Sequence, residues 1–145
     1  METRRRFLEM AGCTIGAGCL GLACSSTAAT PASGTIAAGN TKSVAVGSLA
    51  LVPGQPLILG RDARGLYAMT AICPHQQCSI GDSGTVSPTE IKCNCHGSRF
   101  SANGDVTGGP APTGLEHYKV VVAGDGAITI NASLKVGKDE RTAVA

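Results

Sequence analysis

The amino-acid sequence predicts a small, all-β, antiparallel domain, and three features of its composition and pattern support that prediction. Among 145 residues there are 20 glycines and 7 prolines, no tryptophan, and only two Phe and two Tyr. This composition favours turns and short strands over a core filled by large aromatic side chains. From Lys42 onward, short apolar stretches alternate with turn residues. No stretch after residue 30 shows sustained helical periodicity.

The predicted strands are short apolar stretches bounded by turn-forming residues. Hairpin turns are predicted at residues 61–65, at residues 103–105 with the sequence Asn-Gly-Asp, and at residues 124–126. The middle turn joins two short arms that run from Phe100 to Val106. The remaining strands are placed at residues 44–46, 49–52, 57–60, 66–72, 91–93, 118–122 and 127–130.

Composition also predicts the boundaries of the domain. Residues 31–42 are rich in Ser, Thr, Ala, Pro and Gly and are interpreted as a flexible linker. Residues 135–145 are polar and are interpreted as a frayed tail. The domain itself is therefore assigned to residues 43–134. The roughly 110 residues that follow the first thirty suffice for one modest core but not for two.

The first thirty residues are predicted to be a targeting segment, either a signal or an anchor. Three arginines at positions 4–6 precede Phe7 and Leu8, and a weakly apolar, glycine-rich run follows over residues 10–24. This layout resembles the twin-arginine signal of bacteria, which exports cargo that has already folded. We therefore expect export to the periplasmic side of the cytoplasmic membrane, with membrane association through the N-terminus.

Three fates of the targeting segment stay open: lipidation of Cys24, cleavage near residues 28–29, and an uncleaved anchor. Residues 20–24 read LGLAC, which is similar to a lipoprotein cleavage site. An anchor would rely on the 18 residues from Phe7 to Cys24. That length is marginal beside the ~20 residues that a spanning helix needs. In every case export would allow a disulfide to form and persist.

The distribution of charge argues against a nucleic-acid partner. The formal net charge is +2, and three of the positive charges lie in the targeting segment. Beyond residue 30, nine Lys or Arg are balanced by eight Asp or Glu. The domain therefore lacks the basic footprint of a nucleic-acid-binding protein, and none is expected as a partner.

Two segments concentrate the residues that bind metals. Residues 73–78 read CPHQQC and residues 93–100 read CNCHGSRF, so each offers a Cys and a His at ligand spacing and one further Cys. Both segments follow predicted strands, so both are plausible hairpin loops that approach each other. Cysteine thiolates hold iron–sulfur clusters, and replacing two of four thiolates by imidazole raises the reduction potential. The same residue types can also hold zinc.

The pair of motifs, with 17 residues between His75 and Cys93, resembles the Rieske family, in particular its high-potential branch of cytochrome bc complex iron–sulfur subunits. The resemblance implies a Rieske-like β-sandwich with a cluster-binding subdomain of two loops. It also implies a 2Fe–2S cluster, with one iron bound by Cys73 and Cys93 and the other by His75 and His96.

The resemblance extends to the surroundings of the cluster. It implies a disulfide between Cys78 and Cys95, and a Ser98 hydroxyl that donates to a cluster sulfur. Phe100 stands where high-potential members often carry a Tyr that donates to a ligand sulfur, so we expect a midpoint potential between those of the quinol-oxidising members and the oxygenase ferredoxins. A proline-rich loop that covers the cluster is expected at Gly109, Pro110, Ala111 and Pro112.

The function implied by this resemblance is single-electron transfer by an exported Rieske-type protein between redox partners, with proton coupling through the ligand imidazoles. The alternatives are a Rieske subunit of a quinol-oxidising cytochrome bc complex or of a molybdenum oxidase such as arsenite oxidase, and a structural zinc-binding domain. Stand-alone catalysis is not expected, because no second cofactor site or substrate pocket can be identified. His117 lacks partner spacing and is interpreted as an ordinary surface or hydrogen-bonded residue.

Overall fold

The computed structural model describes residues 28–145, and these residues form two antiparallel sheets. The predicted targeting residues 1–27, including Cys24, lie outside the described residues. A short helix, α1, spans Ile80–Ser83, and a 3-10 turn spans Thr41–Ser43. The strands are β1 Thr35–Asn40, β2 Leu49–Leu51, β3 Leu57–Asp62, β4 Gly65–Thr70, β5 Gly84–Val86, β6 Glu90–Cys93, β7 Ser98–Ser101, β8 Val106–Gly108, β9 His117–Val122 and β10 Ala127–Val136. No helix formed by residues 28–145 has the length and apolar character required to cross a bilayer.

The larger sheet has six strands in the order β1-β10-β9-β4-β3-β2. Its β3–β4 hairpin turns where the sequence predicts a turn, because the Asp62 carboxylate accepts hydrogen bonds from the backbone N–H groups of Arg64 and Gly65 at 2.8 and 3.2 Å. Strand β4 ends at Thr70. The larger sheet therefore delivers the chain to Cys73, the first predicted ligand.

The smaller sheet has four strands in the order β5-β6-β7-β8. Cys93, the last residue of β6, pairs with Ser98, the first residue of β7, so the second predicted ligand loop is the tip of this hairpin. The turn at residues 103–105 joins β7 to β8 and is stabilised by Ser101 Oγ, which accepts hydrogen bonds from Asn103 N–H and Asp105 N–H, each at 3.2 Å.

The buried side chains form two clusters on opposite faces of β3 and β4, because successive strand residues point to opposite sides. One cluster includes Ile58, Tyr67 and Met69 and extends into the smaller sheet, where it contains Cys73 and Cys93. The other packs the opposite face and contains Leu57, Leu59, Leu66, Ala68, Tyr118, Val120, Ile128 and Ile130. Two of the predicted ligands are thus part of the hydrophobic core.

The predicted flexible linker over residues 31–42 is wrong, because residues 35–40 form β1. This strand pairs antiparallel with β10, with Ile36 opposite Ile130. Exposed and half-buried residues alternate along it, and its half-buried Ile36 and Ala38 pack against the core. This edge strand buries one face only and consists mainly of the small residues Thr, Ala and Gly, with a single large apolar residue, Ile36. Its composition therefore resembles that of a linker, although its burial alternates as in a strand.

The predicted frayed tail over residues 135–145 is also wrong. Strand β10 continues to Val136, and Thr142 exchanges two backbone hydrogen bonds with Leu66, each at 2.8 Å. The Arg141 side chain is 6% exposed and binds the Asp62 carboxylate at 2.7 Å. The folded domain therefore extends well past residue 134.

Most of the predicted strands are confirmed, and the exceptions are short. The stretches at residues 49–52, 57–60, 66–72, 91–93, 118–122 and 127–130 correspond to β2, β3, β4, β6, β9 and β10. The predicted strand at residues 44–46 is wrong, because it follows the 3-10 turn and places Val46 at the surface, 63% exposed. Strand β5 and helix α1 have three and four residues, too few to show a period in the sequence.

Candidate metal centre

The two predicted ligand loops lie side by side and share a backbone arrangement. In the first loop, Cys73 N–H donates to Cys78 O at 2.9 Å and Gln77 N–H donates to Cys73 O at 3.0 Å. In the second loop, Gly97 N–H donates to Cys93 O at 3.0 Å. Each loop is thereby folded into a tight turn around its first cysteine, which directs the following histidine away from the core.

Cys73 and Cys93 are the cysteines of the described chain that are not disulfide-bonded, and both are buried. Burial raises the pKa of the Cys93 thiol, and the neighbouring Cys73 raises it further, against the lowering effect of the Cys95 backbone N–H. Two adjacent buried thiols become thiolates only with a compensating positive charge. This environment is that of metal-binding thiolates rather than of reactive surface cysteines.

His75 and His96 form the outer edge of the site. Their ring centroids are 4.8 Å apart in an edge-to-face arrangement. His96 is exposed and His75 is half-buried, whereas both cysteines lie inside. The Nδ1 atom of His75 is buried and has no hydrogen-bond partner in the described chain. A buried ring nitrogen without a partner is what a metal ligand presents.

Cys78 and Cys95 form a disulfide bond that joins the two loops, as the resemblance implies. The Sγ atoms of Cys78, Cys93 and Cys95 lie within 4.8 Å of one another, so the disulfide lies directly beside a predicted ligand. The bond removes Cys78 and Cys95 from the set of candidate ligands. Two cysteines and two histidines then remain between the loops.

Ser98 and Phe100 lie on β7 behind the site, and both are fully buried. Ser98 Oγ has no hydrogen-bond partner in the described chain, and a buried hydroxyl without an acceptor costs about 1–3 kcal/mol. A sulfur of a cluster between the loops would supply that acceptor. Phe100 packs in the same cluster of side chains as Cys73 and Cys93, where its ring offers no hydrogen-bond donor.

The proline-rich loop lies against the second ligand loop. Gly109 has a φ of +79°, and a Cβ at this position would lie 2.5 Å from Gly97 O and from the Cα of Ser98. Ala111 is buried in the cluster that contains the ligand cysteines, whereas Pro110 and Pro112 are exposed. Residues 109–112 therefore cover one side of the site through a backbone contact that only glycine allows.

The residues present fit the cluster that the resemblance implies. The unpartnered His75 Nδ1 and the unpartnered Ser98 Oγ are both buried, and two thiols lie inside the same site. A tetrahedral zinc ion would use the thiols and imidazoles but would leave Ser98 without an acceptor. Two thiols and two imidazoles at one site are the donor set of an iron–sulfur protein with mixed Cys and His ligation.

A comparison with protein families supports an iron–sulfur site of this kind. The model of the Rieske [2Fe-2S] domain matches residues 28–119, more than half of the chain. The chain belongs to the Rieske [2Fe-2S] domain family, and its cofactor is the [2Fe–2S] cluster. Cys73, His75, Cys93 and His96 would hold this cluster.

Curated relatives are iron–sulfur subunits of cytochrome complexes. The cytochrome b6-f complex iron-sulfur subunit of Synechococcus sp. (strain JA-2-3B'a(2-13)) is 38% identical over 69 residues, which are 48% of this chain and 39% of that relative. The same subunit of Synechococcus sp. (strain WH7803) is 40% identical over 70 residues, 48% of this chain and 38% of that relative. The matched region thus spans about two fifths of the length of these relatives.

Solved structures share the fold. The cyanobacterial plasma membrane Rieske protein PetC3 from Synechocystis PCC 6803 has a TM-score of 0.51 at 23% identity, covering 66% of this chain and 97% of that chain. A chain in the complex of reduced oxygenase and oxidized ferredoxin of carbazole 1,9a-dioxygenase has a TM-score of 0.52 at 22% identity, covering 71% and 97%. At these identities the likeness shows the Rieske-like all-β fold and no more.

Two features of the structure have no counterpart in the sequence interpretation. His117 is 3% exposed, its Nε2–H donates to Asn103 O at 3.0 Å, and its Nδ1 has no partner in the described chain. It is thus neither a surface residue nor fully hydrogen-bonded. Ala29 contacts the first ligand loop by donating its N–H to Gln77 O at 3.0 Å. No sequence signal indicates the second feature, because Ala29 and Gln77 are far apart along the chain and neither residue type marks a distant hydrogen bond.

Proposed function

We propose that this chain is an exported Rieske-type protein that passes single electrons between redox partners. One observation supports it most directly: the imidazole edge of the site is open to solvent at His96, while both ligand cysteines are buried in the core. The cluster supplies one-electron chemistry at the potential that its ligands set. The exposed imidazole edge is the shortest route by which an electron enters or leaves.

Proton coupling is part of this proposal. Each ligand imidazole has one ring nitrogen left for a proton, and His96 holds that nitrogen near water. The proton binds more tightly when the site carries an extra electron, so the midpoint potential falls as pH rises through the range in which the oxidised form loses it. The chain contributes by burying the two ligand cysteines and exposing the imidazole of His96 to solvent.

The test is an EPR-monitored redox titration of the purified protein at several pH values. Reduction by ascorbate, a rhombic signal with a low average g, and a midpoint that falls at alkaline pH are expected. His117→Gln is the matched control, because it removes a histidine away from the loops and should leave the dependence on pH unchanged. A midpoint that does not vary with pH would remove the proton coupling from the proposal. If the purified protein contained zinc and showed no EPR signal, the proposal of electron transfer would be refuted.

Export is supported by the arrangement of the three arginines at positions 4–6, and it can be tested without changing charge. Arg5→Lys leaves no two consecutive arginines, whereas Arg4→Lys and Arg6→Lys each leave one pair. We expect Arg5→Lys to retain the protein in the cytoplasm, while at least one of the other two is exported. Unchanged periplasmic localisation of Arg5→Lys would refute a twin-arginine route.

A second candidate function is a subunit of a quinol-oxidising complex, and the names of the curated relatives favour it. Purification from native membranes in mild detergent distinguishes the two candidates. A b-type haem that co-purifies at fixed stoichiometry, with quinol-dependent reduction of the Rieske signal, would support the complex. A Rieske protein recovered alone and reduced by a protein donor would support the carrier.

A further inference from the structure

The two ligand loops reach the same backbone conformation with different residues. Four residues after its cysteine, each loop enters the left-handed region, with φ of 58° at Gln77 and 81° at Gly97. Glycine adopts this conformation without strain, whereas a residue with a Cβ is strained in it. Gln77 is the only non-glycine residue with positive φ between residues 28 and 145. The first loop, which carries His75, therefore needs an additional contact to hold its strained residue, whereas the second loop does not.

A segment that precedes β1 is attached to the strained loop. Ala29 N–H donates to Gln77 O at 3.0 Å. At the other end, Gly34 N–H donates to Ser133 Oγ and Gly34 O accepts from Ala132 N–H, each at 2.8 Å. Residues 29–34 therefore run from β10 to the first ligand loop and are fixed at both ends. We call them the N-terminal strap.

The strap also lies beside the first ligand loop. Pro31 lines a cleft of about 180 Å³ together with Pro74 and Gln77, so the strap and the loop border the same cleft. The second loop is contacted by a different segment: the backbone of Gly109 lies against Gly97 O, and a Cβ built at Gly97 itself meets nothing within 4 Å. The loop with the strained residue is the one that the strap holds.

We propose that the N-terminal strap is a positioning element of the metal centre, which keeps His75 in place by holding Gln77 in its left-handed conformation. Gln77 donates to Cys73 O through its N–H and accepts from Ala29 through its carbonyl. Rotation of Gln77 out of the left-handed region would break both bonds and release the turn that contains His75. Glycine performs this task alone in the second loop. The proposal does not depend on which partner exchanges electrons with the protein.

The test compares two variants. Ala29→Pro removes the N–H that donates to Gln77 O. Ala28→Pro is the control, because the N–H of Ala28 makes no hydrogen bond within the described residues. Both are made in the full-length, cluster-loaded protein. Hydrogen–deuterium exchange is measured by mass spectrometry on peptides covering residues 71–80. We expect exchange there to be about fivefold faster in Ala29→Pro, the effect of losing one hydrogen bond. Peptides covering β9 should be unchanged in both variants.

The midpoint potential separates positioning from a merely structural role. A loosened first loop admits water, and solvent around the site favours the more negative, reduced form, so the midpoint of Ala29→Pro should rise relative to Ala28→Pro. Pro31→Gly keeps every donor and loosens the strap, and it should shift exchange and midpoint in the same direction. Equal exchange in Ala29→Pro and Ala28→Pro would overturn the proposal. Faster exchange with an unchanged midpoint would equally overturn it, since the strap would then be structural only.

Discussion

The guanidinium carbon of Arg141 lies 4.0 Å from the centroid of the Tyr67 ring, within the C-terminal segment that composition assigns to a tail. The same guanidinium donates to Asp62 Oδ2 at 2.7 Å and to Asn103 Oδ1 at 2.6 Å. Asp62 lies on β3 in the larger sheet, and Asn103 lies in the turn of the smaller sheet. Arg141 thus ties both sheets to the C-terminus through one planar group.

We expect Arg141→Lys to lower the free energy of unfolding by about 1–2 kcal/mol, because an ammonium keeps the charge but cannot stack on Tyr67 while binding two acceptors. Arg64→Lys is the matched control. Arg64 also pairs with Asp62, at 3.6 Å, but its side chain is 58% exposed. Its substitution should change stability by less than about 0.5 kcal/mol. Urea denaturation followed by circular dichroism measures both, and equal effects would contradict the argument.

Gln77→Gly should stabilise the protein. A left-handed residue with a Cβ costs about 1–2 kcal/mol, and the added freedom of glycine in the unfolded chain returns about 0.5–1 kcal/mol of that. The expected net gain in the free energy of unfolding is therefore about 0.5–1 kcal/mol. Gln76→Gly, one residue earlier and without a positive φ, should be neutral or destabilising. A loss of stability in Gln77→Gly would show that the left-handed conformation at this site carries no strain.

Gly109→Ala should destabilise the site. The positive φ alone costs about 1–2 kcal/mol, and the new Cβ would also collide with the backbone of Gly97 and Ser98. A total loss above about 2 kcal/mol is expected, together with faster loss of the cluster absorbance on heating. Gly137→Ala is the control, since a Cβ there meets nothing within 4 Å and its φ is not in the left-handed region. A Gly109→Ala protein as stable as the control would mean that the proline-rich loop moves without cost.

The sequence predicts the hairpins and the donor set because both are encoded locally. The turn at residues 61–65 depends on an Asp that caps its own turn, and the two motifs with Cys and His concentrate their chemistry within short segments. Strand β1 is different, because its partner β10 is far away along the chain, with Thr35 opposite Asn131 and Asn40 opposite Ala127. A run of small residues acquires strand geometry only when that partner is present.

The surroundings of the site are predictable only in part. Ser98 and Phe100 follow from the motif, since they stand next to the ligands in sequence. The contact of Ala29 with Gln77 does not, because neither residue type indicates a positive φ or a distant donor. The burial of His117 likewise depends on how β9 packs against the turn at Asn103. Contacts between backbone segments that are distant along the chain cannot be predicted from amino-acid composition or from the spacing of residues within a motif.

Phe100→Tyr should raise the midpoint potential. Phe100 is fully buried in the cluster of side chains that contains Cys73 and Cys93, so a hydroxyl added to its ring would be placed in the same buried environment as the ligand cysteines. A donor to sulfur stabilises the more negative, reduced form. Phe100→Leu adds no donor and should not raise the midpoint. An EPR-monitored redox titration of the wild type and the two variants measures the three midpoint potentials. A midpoint of Phe100→Tyr equal to that of the wild type would contradict the prediction that a hydroxyl at this position donates to a ligand sulfur.

The free energy of unfolding should fall as pH falls below about 6.5, and His117 should account for part of the slope. Burial lowers the pKa of His117 and the nearby Arg141 lowers it further, whereas Asn103 O, Asp105 and Asp139 act in the opposite direction with a smaller total effect. The unfolded chain therefore binds a proton at a pH where the folded chain does not. The stability associated with neutral His117 is complete above about pH 6.5 and is lost as pH falls through the folded pKa, with a slope of at most about 1.4 kcal/mol per pH unit.

His117→Gln removes this titration while keeping a side chain that can donate to Asn103 O. Urea denaturation of the wild type and of His117→Gln between pH 5 and pH 8 should give curves of stability against pH that run parallel above about pH 6.5 and diverge below it, with the wild type steeper.

Asp62 cannot produce this divergence. Its burial raises the pKa, but hydrogen bonds and charge from Arg141 and Arg64 outweigh burial and hold the pKa below its ordinary value, so its contribution is lost only in stronger acid. Curves that stay parallel down to pH 5 would show that the buried imidazole is protonated as readily in the folded chain as in the unfolded one.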